Sequence, residues 1–244
     1  MNEKEKRGSQ LFRFKQFSVG HEFSSMKVGI DGVLIGAWGT VNGNLGLDIG
    51  CGCGLLALMT AQRNHKCFID MIDIHPASVE EARRNIEMSK WENRLSVMLA
   101  DADDYSQVKD NQEKYDFIIS NPPFFHSGMK SPVSPRERAR HEGTLSPYSL
   151  LGIAQRLLKP GGTLSMIGTA QTLIPQNEEM HIERICRVCG KAGKSPKRIM
   201  ISLRKVSDSE KYFIPTEETL FIREEDGSYS NAYKELTKEF YLNF

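Results

Sequence analysis

The residues best suited to chemistry form a short run, Asn121-Pro122-Pro123-Phe124, directly after an apolar segment that ends at Ser120. Two consecutive prolines fix the backbone and remove its N–H donors, which leaves carbonyl groups free to point into a cleft. The Asn121 side-chain oxygen and the Pro122 carbonyl can each accept one hydrogen from a planar NH2 group. Phe124 can stack on the ring that carries this group. The run therefore predicts a clamp for an amino group.

A second candidate site is the glycine loop, residues 50–54, which follows another apolar segment and has the pattern DxGxGxG from Asp48. Glycines in this loop let the backbone approach a ligand closely and turn sharply from a strand into a helix. A nicotinamide-binding loop would have the pattern GxGxxG, but Leu55 occupies the position of its third glycine. Asp48, at the strand end, can hold an ammonium group or a water. A glycine-rich turn without a ligand is the alternative interpretation.

Two more acidic residues follow the next two predicted strands. Asp73 ends the second strand, where a carboxylate can accept hydrogen bonds from both hydroxyls of a ribose. Asp101, followed by Ala102, comes after the third strand, where it can accept a bond from the amino group of an adenine. Either aspartate alone could be a helix cap or part of a solvated turn. Together, in this order at the strand ends, they favour a ligand that contains adenosine.

The elements that must position these residues alternate between strand and helix, which predicts a parallel sheet with helices on both faces. The predicted strands are 45–49, 68–74, 94–99, 115–120, 163–167, 197–203 and 219–223. The predicted helices are 55–63, 76–90, 147–158, 175–189 and 230–241, and Ser146 is the expected N-cap of the third. Ligands of such sheets bind at the carboxyl ends of the strands, beside the point where the strand order reverses.

The two motifs together resemble the amino-methyltransferases, and the flanking segments narrow the family. The stretch from Ser24 to Trp38, SSMKVGIDGVLIGAW, precedes the first strand, and aromatic residues recur between Tyr229 and Tyr241. With the NPPF run, these segments resemble the bacterial tRNA1(Val) (adenine(37)-N6)-methyltransferase family over nearly the whole chain. From the sequence alone, residues 30–38 also predict a helix whose apolar face packs on the sheet.

The resemblance implies a class I (Rossmann-like) methyltransferase fold: a seven-stranded, mostly parallel sheet with a C-terminal antiparallel hairpin and helices on both faces. It implies one catalytic domain, in which residues 1–44 contribute to the cofactor pocket, residues 45–225 form the core sheet and residues 226–244 form a closing helix. The implied reaction is methylation of adenine N6 in tRNA. Catalysis would come mainly from orientation of the amine.

The resemblance also implies the site residues and the cofactor, S-adenosylmethionine, with no metal. The catalytic residues would be Asn121, Pro122, Pro123 and Phe124. The cofactor would be held by Lys27, Gly29, Asp31, Asp48, Gly50, Gly52, Gly54, Asp73, Asp101, Ala102 and Asn121, with Lys27 near its carboxylate.

Any RNA-binding surface must come from local charge, because the net charge of the 244-residue chain is only +1. Between Arg184 and Lys205 the chain has eight basic residues and no acidic one, and a second basic stretch follows the NPPF run. The candidate RNA-binding residues are Arg136, Arg138, Arg140, Lys191, Lys194, Lys197 and Arg198. A run of charge can also be no more than a solvated surface.

Cysteine usage and the N-terminus favour the cytoplasm. The five cysteines have no disulfide-framework spacing, the apolar runs are too short to span a membrane, and no signal peptide is evident. Cys186 and Cys189 form a lone CxxC, for which a zinc site would require further ligands. The sequence instead predicts two half-buried positions on a helix. The oligomeric state stays open.

Two other classes of function are compatible with parts of the pattern. Amino-methyltransferases that act on guanine N2 of ribosomal RNA, or on a glutamine of a release factor, usually carry an additional N-terminal domain. Only 44 residues precede the first predicted strand here, which counts against both. A non-catalytic RNA-binding protein with this fold is the third class, and the intact Asp48, Asp73, Asp101 and Asn121 count against it.

Overall fold

The computed structural model describes residues 11–24, 27–123, 145–172, 177–206 and 214–243. Four of the candidate site residues lie outside these ranges, namely Phe124, Arg136, Arg138 and Arg140. The predictions made for these four residues therefore stay predictions.

The described strands form one large sheet and one small one. They are β1 (Phe12–Arg13), β2 (Ser18–Val19), β3 (Leu45–Ile49), β4 (Phe68–Asp73), β5 (Leu95–Leu99), β6 (Tyr115–Ser120), β7 (Leu158–Thr169), β8 (Met180–Cys189), β9 (Arg198–Lys205) and β10 (Thr216–Phe221). The large sheet has the order β10-β8-β9-β7-β6-β3-β4-β5, and β1 pairs with β2 alone. Only β9 runs antiparallel to its neighbours in the large sheet. The predicted mostly parallel sheet is confirmed.

Six α-helices connect these strands within the described ranges. They are α1 (Ile30–Trp38), α2 (Leu55–Arg63), α3 (Pro76–Glu87), α4 (Ala102–Gln107), α5 (Pro147–Leu157) and α6 (Asn231–Thr237). Short 3-10 turns occur at Glu92–Arg94 and Lys109–Asn111. Helix α5 begins as predicted because the Ser146 hydroxyl accepts the Ser149 N–H, while the Ser149 hydroxyl accepts the Ser146 N–H.

The helix predicted for residues 175–189 is wrong, since Met180–Cys189 is strand β8. A bulge between Ile182 and Arg184 changes the two-residue alternation of a strand into a three-residue step from Ile182 to Ile185, which imitates helical spacing. Cys186 and Cys189 are consequently buried strand residues and not half-buried helix positions. The antiparallel hairpin is formed by β8 and β9, so β8 is the strand beyond the seven that were expected. Strand β10 overlaps the predicted strand 219–223 and pairs in parallel with β8.

Both faces of the sheet are covered by helices, as β6 shows. Ile118 packs with Leu150 and Leu157 of α5 on one face, whereas Phe117 and Ile119 pack with residues of α1 and α2 on the other. In α1 the residues from Gly32 to Trp38 are all buried, so the predicted apolar face of this helix is confirmed.

None of the helices in the described ranges has the length and apolar character that a membrane crossing requires. Among the same residues, no group of three or more His, Cys, Asp or Glu side chains is arranged to hold a metal ion.

Candidate active site

The candidate site lies where the strand order reverses, between β3 and β6. The strand that follows β3 in the chain, β4, lies on one side of it, and β6 lies on the other. The Ser120 hydroxyl donates a buried 2.8 Å hydrogen bond to the Ile49 carbonyl and so joins the carboxyl ends of the two strands. Asn121 and the glycine loop follow directly, so the fold places the two sequence motifs side by side.

The glycine loop has the backbone conformation that its sequence predicts. Gly50, Gly52 and Gly54 all have positive φ angles, of 70°, 54° and 83°, which favour glycine. A Cβ at Gly54 would approach Met71 Cε to 2.8 Å, whereas a Cβ at Gly52 would meet no described atom within 4 Å. Because Met71 Cε is the end of a flexible side chain, Gly54 is required chiefly by its positive φ. Gly52 leaves open space of the kind that a ligand could occupy.

Asp48 is a fully buried carboxylate with one free oxygen. Its Oδ2 accepts the Ala57 N–H at 3.2 Å, and its Oδ1 has no hydrogen-bond partner among the described residues. Burial, with a smaller contribution from the nearby Asp73, raises the pKa of the Asp48 carboxyl to about 8. A buried polar atom without a partner is destabilising, so this oxygen is suited to a donor such as an ammonium group or a water.

The two other acidic candidates hold main-chain donors. Asp73 is buried, and its two oxygens accept the N–H groups of Gly52 and His75, each at 2.9 Å. Asp101 caps α4 by accepting the Asp103 and Asp104 N–H groups, and both bonds end at Oδ1. Each carboxylate oxygen can accept more than one hydrogen bond, so these contacts leave room for a further donor.

Asn121 presents an unsatisfied acceptor at the end of β6. Its Oδ1 is buried and accepts no hydrogen bond from the described residues. The first turn of α1 packs closely here, because a Cβ at Gly32 would lie 3.9 Å from Asn121 Nδ2 and 2.9 Å from Leu55 Cδ2. Pro122 is buried and Pro123 is exposed. The arrangement fits a clamp whose acceptor oxygen is available to an amino group.

The predicted cofactor residues near the start of α1 differ in their surroundings. Lys27 and Gly29 are exposed, and Gly29 is the residue before α1. The Asp31 carboxylate already accepts a 3.0 Å bond from the Arg198 guanidinium. Asp31 and Arg198, which the sequence assigned to the cofactor and to RNA, therefore form an ion pair with each other.

Sequence reasoning missed Leu99, which is an apolar candidate at this edge. Leu99 is the last residue of β5 and Ile74 is the first residue after β4; they are 56% and 45% exposed, respectively. Their positions beside Asp101 and Asp73 could cover the faces of a planar ring. Met71, on the same strand as Asp73, is buried in the core instead. No signal in the sequence distinguishes an exposed strand-end leucine from a buried one.

The basic run from Arg184 to Lys205 is mostly neutralised by carboxylates of other elements. The ion pairs are Arg184–Glu218, Arg187–Glu217, Arg198–Asp31, Arg204–Glu183 and Lys205–Glu113. Lys191, Lys194 and Lys197, in the turn between β8 and β9, form no ion pair with the described residues. Arg198 at the start of β9 pairs with Thr169 at the end of β7, and β7 runs parallel to β6, which Asn121 follows. The turn before Arg198 therefore lies at the same edge of the sheet as Asn121.

Comparison with known proteins decides the family. A family model described as the methyltransferase small domain matches residues 33–194. A tRNA1(Val) (adenine(37)-N6)-methyltransferase from Bacteroides fragilis is 40% identical over 238 residues, which cover 95% of this chain and 98% of that protein. The protein of the same name from Histophilus somni is 35% identical over 249 residues, with coverages of 96% and 98%. The chain belongs to the tRNA1(Val) (adenine(37)-N6)-methyltransferase family.

The family resemblance drawn from the sequence is thus confirmed, and solved structures confirm the class I methyltransferase fold. A chain described as a predicted O-methyltransferase from Agrobacterium tumefaciens superposes with a TM-score of 0.66 at 17% identity, covering 86% of this chain and 96% of that one. As a member of the tRNA1(Val) (adenine(37)-N6)-methyltransferase family, the chain is a methyltransferase that uses S-adenosylmethionine.

Proposed function

We propose that this protein transfers a methyl group from S-adenosylmethionine to N6 of adenine 37 in tRNA1(Val). The observation that carries the proposal is the buried, unpartnered Oδ1 of Asn121 at the end of β6, beside the glycine loop. The choice of substrate is supported by the relatives of this protein that are named for the reaction. The cytoplasm, where tRNA is found, is the proposed compartment.

The residues present fit the cofactor. The free Oδ1 of Asp48 suits the ammonium group, and the open space at Gly52, between Gly50 and Gly54, suits a closely approaching ligand. Asp73 would hold the ribose hydroxyls. Asp101 and Ala102 would hold the adenine. Lys27, Gly29 and Asp31 would complete the pocket from the N-terminal side, so that residues 1–44 and the sheet belong to one catalytic domain.

The chain's own catalytic contribution is orientation of the amine. When bound, the cofactor supplies an electrophilic methyl group. Asn121 Oδ1 and the Pro122 carbonyl would each accept one N6 hydrogen and so direct the nitrogen lone pair toward the methyl group. The amine needs no dedicated base, since N6 becomes strongly acidic once it is methylated. Phe124 would stack on the adenine, which must leave the base stack to enter the site.

The three lysines of the β8–β9 turn provide a test of RNA binding. Changing Lys191, Lys194 and Lys197 together to glutamine should weaken tRNA binding and reduce its salt dependence. If each lysine neutralises one phosphate, the slope of log K against log salt should fall by about two to three. The measurement is a series of binding titrations between about 50 and 200 mM salt.

A matched control removes the same charge elsewhere. Lys66, Lys90 and Lys109 are exposed and lie near the opposite, amino edge of the sheet, so their triple change to glutamine should leave the slope nearly unchanged. An equal loss of slope in both triple variants would show that the β8–β9 turn has no special part in RNA binding.

The proposed function is tested by methyl transfer from labelled S-adenosylmethionine to total bacterial tRNA, with ribosomal RNA and a release factor as parallel substrates. The expected result is label in tRNA that nucleoside analysis identifies as N6-methyladenosine. Label found only in ribosomal RNA would indicate a different nucleic-acid substrate for the same clamp. Label found only in the release factor would indicate glutamine as the acceptor.

A further inference from the structure

A bent segment before α1, the N-terminal strap Gly20–Ser24, is held by one buried carboxylate of α3. Glu81 is only 5% exposed, and its Oε1 accepts the N–H groups of Glu22 at 2.5 Å and Phe23 at 3.0 Å. Its Oε2 accepts the Ser24 N–H at 2.6 Å. Three consecutive main-chain donors of the strap therefore converge on a single side chain.

The side chain one turn further along α3 connects the strap to the glycine loop. Asn85 is 1% exposed, and its Oδ1 accepts the Gly20 N–H at 2.8 Å. Its Nδ2 donates to the carbonyls of Gly20 and Cys53, both at 2.8 Å. Because Cys53 belongs to the glycine loop, Asn85 holds the strap and the loop in a fixed relation.

The chemistry of Glu81 indicates that this contact is specific. A buried carboxylate is strongly disfavoured unless donors surround it, and Glu81 forms no ion pair with any described residue. The strap supplies the donors. The neighbouring Glu80 differs, because it is half exposed and pairs with Arg83 and Arg84 at the surface, where ion pairs contribute little.

The position of the strap in the chain links its bonds to Glu81 and Asn85 with the cofactor site. The strap is fixed beside Cys53 at one end of the segment, and α1, which follows the segment, packs beside Asn121. The residues between them include Lys27 and Gly29. Main-chain bonds to Glu81 and Asn85 thus determine where this part of the pocket begins.

We propose that Glu81 and Asn85 are positioning residues, which hold the N-terminal strap against the glycine loop so that the strap forms one wall of the cofactor site. The inference rests on the proposed function, because it assumes that S-adenosylmethionine binds at this loop. A released strap would leave the glycine loop and the clamp in place but would reduce the fraction of molecules that are ready to bind the cofactor.

The test compares Glu81→Gln with the matched control Glu80→Gln one residue away. An amide has one acceptor oxygen and places an NH2 group against main-chain N–H donors, so the strap should detach in Glu81→Gln. If about one molecule in ten keeps the strap in place, the Kd for S-adenosylmethionine should rise about tenfold. The kcat at saturating cofactor and the KM for tRNA should not change, and Glu80→Gln should behave as the unmodified protein.

Hydrogen exchange supplies a readout that does not depend on activity. The amides of Glu22, Phe23 and Ser24 should exchange faster in Glu81→Gln than in Glu80→Gln. In the unmodified protein, addition of S-adenosylmethionine should slow their exchange. This measurement does not require Glu81→Gln to fold.

The outcomes separate the two claims. If Glu81→Gln releases the strap but binds the cofactor as tightly as the unmodified protein, or if the cofactor leaves exchange of the strap amides unchanged, the positioning role is refuted while the proposed function stands. An unmodified protein that binds no S-adenosylmethionine would overturn both.

Discussion

Replacing Asn121 by alanine should lower the turnover number by about 100-fold or more, because a small misplacement of the reacting group has an effect of that size. The dissociation constant for S-adenosylmethionine should stay nearly unchanged. The reason is that the buried, unpartnered Asn121 Oδ1 would contact the target amine. Although the resemblance also counts Asn121 among the cofactor residues, the glycine loop and Asp48 would supply the main contacts to the cofactor. Single-turnover kinetics with tRNA and calorimetric titration of the cofactor measure the two quantities separately.

Two further variants make this prediction specific. Asn121→Asp keeps an acceptor oxygen at the clamp and should therefore retain more activity than Asn121→Ala. Asn42→Ala removes an exposed asparagine near the amino edge of the sheet and should change neither quantity. Near-normal turnover in Asn121→Ala would refute the clamp.

The affinity for S-adenosylmethionine should rise with pH because of Asp48. Burial raises the pKa of this carboxyl to about 8, so below that pH the group is mostly protonated in the free protein. An ammonium group at Oδ1 would stabilise the charged form, so binding must release the proton. The Kd should therefore fall about tenfold for each pH unit between about 6 and 7.5. In that range the α-amino group of the cofactor also stays protonated.

The control for this prediction is Asp48→Asn, which cannot titrate. Its cofactor affinity should be weaker and independent of pH over the same range. A Kd for the unmodified protein that does not change between pH 6 and 7.5 would show that the Asp48 carboxylate does not meet the ammonium group.

In the absence of the cofactor, the Asp48 carboxyl should make the folded protein less stable as the pH rises. The native state keeps the Asp48 proton up to about pH 8, whereas the unfolded state loses it near the ordinary pKa of 3.8. Since the native state binds more protons in this window, Asp48 lowers stability as the pH rises from about 4 to 8. Asp48→Asn should gain stability relative to the unmodified protein over that range, which denaturant titrations at several pH values can measure.

The sequence predicted the elements whose signals are local. The helix Leu55–Arg63 and the strand Tyr115–Ser120 have the predicted bounds. Helix α5 begins at Pro147 because the cap and the proline are adjacent in the chain. Strand β8 was missed because its bulge imitates helical spacing and interrupts the alternation of apolar and polar residues.

The predicted site residues depend on partners that are distant in the chain, and here the sequence was less informative. The basic run at 184–205 looked uniformly exposed, but its ion pairs involve Asp31, Glu113, Glu183, Glu217 and Glu218. The ion pair between Arg198 and Asp31, for example, joins residues that are 167 positions apart in the chain. Glu81 resembles an ordinary helix-surface residue in the sequence, and only the path of the strap makes it a buried acceptor.

The proposed reaction is tested by methyl transfer to an unmodified tRNA1(Val) transcript, compared with a transcript that has guanine at nucleotide 37. We expect about one methyl group per tRNA, recovered as N6-methyladenosine at nucleotide 37, and no label in the guanine transcript. Equal labelling of the two transcripts, or label at any other nucleotide, would contradict the proposed reaction.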